Sequence, residues 1–291
     1  MPHYVYLNNR FVPYREAMVP IEDRGYQFAD GVYEVMPVIN GQICEFTGHM
    51  DRLYRSLAEI SLPISWGRPL FKQIMKQLLR LERLQEGNIY LQITRGVAPR
   101  NFPFPKDALP SLVIVPKKAN LLSNPLAEKG MKALSQPDIR WGRCDIKTIA
   151  LLAQVLAKQK AAEAGCLEAF LLDDKGYITE GAASNAWMVK NGVIYTRPAV
   201  DNILAGVTRN SLLILAEAAG VQVVQRPFSL QEALAADELF ISSASYFAMP
   251  VVMLDEQPIA DGKAGALTNK LRALYIEHLL QQRADIPWKI Q

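Results

Sequence analysis

The sequence predicts two domains, a smaller N-terminal α+β domain followed by a larger C-terminal domain of mixed α/β character. Three observations carry this expectation. The chain has 291 residues, 50% of them hydrophobic, which is enough to bury one large core or two moderate ones. Its first part alternates short β-like runs with two helical patterns, whereas its later part interleaves strands with helices. Between them lies KKANLLSNP (117–125), polar and rich in turn-forming residues. Placing the linker at 120–125 gives domains of 1–119 and 126–291.

In chain order, YVYLNN (4–9) and YEVMPVI (33–39) read as strands, and HMDRLYRSLAEI (49–60) and PLFKQIMKQLLRLERL (69–84) as helices. In the second helix Phe71, Ile74, Met75, Leu78 and Leu79 recur at spacings of three and four, which gathers them on one face. NIYLQITRG and LPSLVIVPKK complete the first domain as strands. Beyond the linker, CLEAFLLDD, NAWMVKNGVIYTR, ADELFISSAS and PVVMLDEQPI carry the strand pattern, and helices are predicted over 149–164, 207–219 and 264–281. Asn191-Gly192 splits NAWMVK from VIYTR, and both residues tolerate the positive φ of a tight hairpin. No internal repeat or low-complexity segment is present.

Composition narrows the function classes. The net charge of +3 is scattered without a basic run, which disfavours nucleic-acid binding. Cys44, Cys144 and Cys166 are odd in number and lack metal-ligand spacing, which suits a reducing, cytoplasmic setting. His3, His49 and His278 are dispersed with no HxxH spacing, so no metal is expected. The N-terminal residues lack the basic start and apolar block of a secretory signal. The longest apolar run, YFAMPVVML (246–254), is far too short to span a bilayer, and no membrane partner is expected.

RCDIKT (143–148) and ITEGAASN (178–185) stand out as candidate chemistry. Lys147 offers an amine in a short polar interruption, and Glu180 a carboxylate before small, hydroxyl-bearing residues. An aldehyde-bearing pyridine cofactor needs this pair: an amine to form a Schiff base, and a carboxylate to keep the ring nitrogen protonated so that the ring accepts electrons. A solvated lysine and an exposed turn glutamate are the alternative readings of each residue alone.

RGYQFADGVYEV, HMDRLYRS, ITRGVAPR, RCDIKT, TEGAASN, LAGVTR and DELFISS follow one another in an order that resembles the fold-type IV pyridoxal phosphate aminotransferases. The resemblance runs from about Tyr4 to about Leu279 and is nearest to the D-amino acid aminotransferase group, with branched-chain aminotransferases and aminodeoxychorismate lyases as relatives. It implies a two-domain fold and pyridoxal 5′-phosphate as cofactor, with Lys147 forming the Schiff base and shuttling the proton and Glu180 paired with the pyridine nitrogen.

Arg52 matches the arginine that binds the cofactor phosphate, where a forked guanidinium suits phosphate oxygens. A surface ion pair with Asp51 or Glu59 is the other reading of that residue alone. In GVTR the backbone N–H groups of Val207 and Thr208 open a helix and would face an anion. Ser184 and Ser243 extend that cup, while Ala182, Ala183 and Ala244 stand where some relatives carry hydroxyls. Leu204 matches an apolar residue that packs on the ring.

Substrate binding is implied for Tyr33, Val35, Arg100 and Phe102. Tyr33 and Arg100 match the group's carboxylate trap, and the family architecture delivers the Arg100 loop from a neighbouring subunit, which implies a homodimer. Two positions depart from the group. Phe102 stands where it has a histidine, and Pro37 stands where YEVxK has a lysine. Both make the pocket less polar; packing of Phe102 on Phe104 in a rearranged loop is the alternative.

The implied activity is ping-pong transfer of an amino group from a D-amino acid of the D-alanine or D-glutamate type to a 2-oxo acid. Three alternatives stay open: a branched-chain or (R)-amine aminotransferase, an aminodeoxychorismate lyase, and a catalytically idle cofactor-binding protein. Phe102 and Pro37 favour the first of these, whereas Tyr33 with Arg100 opposes it.

Overall fold

The computed structural model describes residues 2–200 and 202–281. They form two compact units: residues 2–120 with Ile146–Ala150, and Leu121–Asp145 with 151–281.

In the first unit β1 (Tyr4–Leu7) and β2 (Arg10–Pro13) make a hairpin, followed by the short helix α1 (Arg24–Phe28). Strand β3 (Gly31–Ile39) turns into β4 (Gln42–Ile43) and leads to two helices, α2 (Phe46–Glu59) and α3 (Arg68–Glu82). Strands β5 (Gly87–Thr94) and β6 (Ser111–Lys118) complete an antiparallel sheet of order β2-β1-β6-β5-β3-β4.

Alternation along β3 buries Val32, Glu34 and Met36 and leaves Tyr33 and Val35 half-buried on the other face. The apolar stripe of α3 packs as its spacing predicts: Phe71, Ile74, Met75, Leu78 and Leu79 join Met50, Leu53, Leu57, Ile89 and Ile93 in one core. Removing a ring such as that of Phe71 would cost about 3–5 kcal/mol.

Pro37 is compatible with this strand for a local reason. Its carbonyl accepts from Cys44 N–H at 2.8 Å, on the β4 side. N and O of one strand residue point to the same side, so the missing donor is not one that β5 needs; it falls at the end of the β4 ladder, one residue beyond the Val38–Ile43 pair.

The second unit begins with α4 (Leu126–Lys129), β7 (Met131–Pro137) and α5 (Leu152–Glu163). Strands β8 (Glu168–Leu172), β9 (Ile178–Gly181), β10 (Asn185–Lys190) and β11 (Val193–Thr196) follow. Then come α6 (Val207–Ala218), β12 (Val223–Gln225) and α7 (Leu230–Leu234), the last opened by a Ser229–Glu232 capping box. The described chain closes with β13 (Glu238–Ser243), β14 (Phe247–Leu254), β15 (Gln257–Pro258) and α8 (Ala266–Leu280).

The sheet runs β12-β11-β10-β13-β14-β7-β8-β9, with β15 on β14, and mixes parallel with antiparallel pairs. Asn191 (φ 52°) and Gly192 (φ 75°) form the predicted hairpin turn, closing Lys190 onto Val193. Helix α5 meets β8 through small residues, Ala157 and Ala161 against Ala169. No helix among the described residues is long and apolar enough to cross a membrane.

The structure differs from the sequence expectation around residue 147. A single linker would leave Ile146–Ala150 in the C-terminal domain, with a helix running from 149. Instead this segment belongs to the first unit, and α5 starts at Leu152. The reason is hydrogen bonding: Tyr33 N–H donates to Lys147 O at 3.0 Å, and Ile149 N–H donates to Gly31 O at 3.1 Å. The segment is thus extended against β3, with Thr148 bridged to Val32. Gly31 allows this approach, because a Cβ there would lie 2.5 Å from Ile93 O and 3.1 Å from Ile149 Cδ1.

Candidate active site

Lys147, Tyr33, Val35, Arg52, Arg100 and Phe102 lie in the first unit; Glu180, Ser184, Leu204, Val207, Thr208 and Ser243 lie in the second. In the first, Lys147 is pinned through its backbone, its N–H donating to Ser56 Oγ at 3.3 Å. Its Nζ stands 4.3 Å from the centre of the Tyr33 ring. Tyr33 is opposite Gln92 and Val35 opposite Tyr90 in the β3–β5 register, so the four share a sheet face with that amine. Burial, reinforced by Tyr33, pushes the Tyr90 hydroxyl up to about 12, and it donates to Gln92 at 2.6 Å.

Arg52 is buried rather than solvated on the surface of its helix. Its Nε and Nη2 donate to Glu34 Oε1 and Oε2 at 2.8 and 2.7 Å, while Asp51 pairs with Arg68 and Glu59 with Arg55. His49 Nδ1 meets Glu34 Oε2 at 2.7 Å. Burial alone would raise the Glu34 carboxyl; the Arg52 charge, with hydrogen bonds from Arg52 and His49, holds it down at about 2. Glu34 and His49 are partners that sequence reasoning did not single out. The available signal was a glutamate in the apolar phase of a strand, and a histidine and an arginine three residues apart on one helix.

In the second unit Glu180 is buried at the end of β9 with donors on both oxygens. Arg140 Nη1 pairs with Oε1; Asn185 Nδ2 donates to Oε2 at 3.0 Å, and Leu204 N–H at 3.2 Å. Burial pushes the Glu180 carboxyl up, and the Arg140 charge and the donors from Arg140 and Leu204 pull only partly against it. Asp138 takes the other side of the same guanidinium at 2.6 Å and accepts from Thr179 Oγ1 at 2.7 Å. Although burial opposes ionisation of Asp138, these bonds keep its carboxyl low. Burial also drives the Cys144 thiol to about 11, with Arg140 acting in the opposite direction.

Asn185 ties this carboxylate to the next loop, since its Nδ2 also donates to Leu204 O at 2.9 Å. Gly206 packs so closely that a Cβ there would collide with Asn185 Oδ1. Gly206 caps α6 with no side-chain hydrogen bond, so the first N–H groups of Val207 and Thr208 open the helix without a capping oxygen. The Thr208 hydroxyl lies 3.3 Å from Tyr275 Oη. Ser243 Oγ accepts from Tyr246 N–H at 3.2 Å. The Ser184 hydroxyl donates to buried Glu168 at 2.8 Å, so its proton is committed inside the unit. Arg140 and Asn185 were not singled out from sequence, because a DIR tripeptide and an asparagine at a strand start carry no distinctive spacing.

Arg100 and Phe102 are exposed on the 96–110 loop. The Phe102 ring packs on Phe28, with centroids 5.4 Å apart, and not on Phe104, which instead covers Arg95 at 3.6 Å.

Known proteins share both the sequence and this fold. A family model described as Amino-transferase class IV matches residues 31–254. D-alanine aminotransferase of Listeria monocytogenes serotype 4b (strain F2365) is 39% identical over 284 residues, 97% of this chain and 98% of that protein. The Bacillus licheniformis D-alanine aminotransferase is 39% identical over 286 residues, covering 96% and 98%. Among solved structures, branched-chain amino acid aminotransferase from Escherichia coli superimposes with a TM-score of 0.88 at 22% identity, covering 99% of this chain and 98% of that one. The branched-chain aminotransferase of Thermoproteus uzoniensis, solved with norvaline, gives a TM-score of 0.85 at 23% identity, covering 99% and 98%. At such identities these two establish the fold alone. With a family match over most of its length and full-length relatives at 39% identity, the chain belongs to the class IV aminotransferases.

Proposed function

We propose that the protein is a pyridoxal 5′-phosphate-dependent D-amino acid aminotransferase that moves an amino group from a D-amino acid of the D-alanine type to a 2-oxo acid. The observation that carries this reading is Glu180: a buried carboxylate held in one orientation by Arg140, Asn185 and the Leu204 N–H, with its carboxyl pushed up by burial. Such a group is stabilised as an anion by one more cation, and a protonated ring nitrogen is one. The α6 start, capped by no side chain, suits a phosphate. The residues therefore fit the cofactor, and the near full-length similarity to D-alanine aminotransferases supports the D-amino acid assignment.

When bound, pyridoxal 5′-phosphate supplies an aldehyde that takes the amino group and a ring that accepts the electrons released at Cα. Lys147 Nζ holds that aldehyde between turnovers and carries the Cα proton. Glu180 holds a proton on the ring nitrogen. Arg52, oriented by Glu34, and the Val207 and Thr208 N–H groups bind phosphate, with Ser243 contributing a hydroxyl and Leu204 an apolar contact. Tyr33 and Arg100 take the substrate carboxylate, beside Val35.

A homodimer belongs to the same reading. Met18, Ile21 and Tyr26 are 77%, 80% and 80% exposed, and Phe102 and Leu109 75% and 85%. Their two segments are joined by the Asp23–Val97 bridge and by Arg24 N–H to Gly96 O at 2.9 Å, which makes an exposed apolar surface that a second copy would cover. Cys44, Cys144 and Cys166, which form no disulfide among the described residues, are in keeping with a cytoplasmic setting.

The test is spectroscopic. Purified protein is expected to show the absorbance band of the lysine-bound cofactor, to lose it on D-alanine addition and to regain it with a 2-oxo acid. Lys147→Ala is expected to lack both band and turnover. An active Lys147→Ala enzyme would overturn the cofactor assignment, and turnover of L-branched-chain amino acids alone would overturn the D assignment.

A further inference from the structure

The Arg100 guanidinium is seated on two aromatic rings, at 5.0 Å from the Phe28 centroid and 5.9 Å from that of Phe102. The rings contact one another at 5.4 Å with a 41° tilt. Among the described residues no carboxylate pairs with Arg100, in contrast to Arg52 and Arg140.

The loop that carries Arg100 is fixed from beneath. Buried Arg24 donates through Nη1 to Asn101 O at 2.5 Å and through Nη2 to Phe102 O at 3.1 Å. Asp30 Oδ2 aligns Arg24 by accepting from its Nε at 2.8 Å, and accepts from Arg95 Nε at 2.8 Å as well. Arg95 continues the clamp to the carbonyls of Ile60 and Ser61. Phe28 is the last residue of α1, whose N-cap Asp23 accepts from Gly25 N–H at 2.8 Å and from Thr94 Oγ1 at 3.0 Å. Both rings therefore stand on a hydrogen-bonded base.

We propose that Phe28 and Phe102 are positioning residues that hold the Arg100 guanidinium for the carboxylate of the amino-acid substrate. This rests on the reading of Arg100 as the carboxylate receptor. The physical argument turns on what each kind of partner does to a cation. An acidic side chain would orient the guanidinium but neutralise it and compete with the substrate. An aromatic face attracts and orients it while leaving its N–H edge and its net charge available. A histidine at position 102 would contribute a donor; Phe102 contributes a face, and its effect on the substrate is exerted through Arg100.

The experiment is steady-state kinetics of the holoenzyme with D-alanine, on variants whose thermal melting matches the parent. Arg100→Ala is expected to raise KM about tenfold to a hundredfold. Phe102→Leu, which keeps an apolar side chain but removes the ring, is expected to raise KM about threefold to tenfold with kcat retained, and Phe28→Leu to do the same. Phe102→Tyr restores the ring and is expected to stay within about twofold of the parent. In the Arg100→Ala background Phe102→Leu should change nothing further. An unchanged KM in Phe102→Leu, or an equal effect with and without Arg100, overturns the proposal while Arg100→Ala still reports on the receptor. An unchanged KM in Arg100→Ala overturns the receptor reading itself, and the proposal with it.

Discussion

Glu34 grips Arg52 through two hydrogen bonds, Nε to Oε1 at 2.8 Å and Nη2 to Oε2 at 2.7 Å, and both side chains are buried. A guanidinium held in this way has its plane fixed before any phosphate arrives. Glu34→Gln would leave a buried cation without its counter-charge, so a loss of about 3–5 kcal/mol in unfolding free energy is expected. Cofactor retention should weaken in parallel. Urea titration and dialysis check both outcomes, and an unmoved midpoint would rule out this role for Glu34.

The same pair predicts an acid limb of stability. Glu34 is held at about 2 against an ordinary value of 4.5. A depressed carboxyl stabilises the fold above the unfolded value and loses that contribution as pH falls toward the folded one. About 3 kcal/mol should therefore disappear between roughly pH 4.5 and pH 2. Denaturation midpoints at successive pH values should show this slope in the parent and a shallower one in Glu34→Gln.

Arg140 controls the ionisation of Glu180. Because burial already pushes that carboxyl up and the Arg140 charge opposes it, Arg140→Met should raise it further. In the proposed role Glu180 must be anionic to keep a ring nitrogen protonated, and as pH falls that anion would be lost at a higher pH than in the parent. The acidic limb of the kcat/KM profile is expected to move upward, with Arg140→Lys intermediate. A limb that stays in place would show that Glu180 is not the group being titrated.

What was legible in the sequence follows the range of the forces involved. The α3 stripe and the Asn191-Gly192 turn are local statements of periodicity and φ, and the structure has both. Lys147 and Glu180 were legible as residue types in motif context. The extended path of Ile146–Ala150 was not, because its hydrogen bonds go to Gly31 and Tyr33, more than a hundred residues away. The same applies to Arg140 and Asn185: their partner is Glu180, and only the folded second unit brings the three together. Phe102 was legible as a departure from its group, but its seat on Phe28 depends on Arg24 holding the loop carbonyls.

Gly206 offers a test of the link between Glu180 and the α6 start. A Cβ at this position would collide with Asn185 Oδ1, and Asn185 donates both to Glu180 at 3.0 Å and to Leu204 O at 2.9 Å. Gly206→Ala should therefore displace Asn185 and loosen the loop that leads into the helix. Losing a hydrogen bond to a charged group costs about 1.5–3 kcal/mol, so cofactor affinity is expected to fall about tenfold to a hundredfold. Asn185→Ala alone should weaken binding similarly, since it removes the same two bonds. Combining it with Gly206→Ala should add little, because the atom struck by the new methyl group is gone. Fluorescence titration of the apoprotein with pyridoxal 5′-phosphate measures all three variants, and strictly additive losses would show that Gly206 acts on the site by a route other than Asn185.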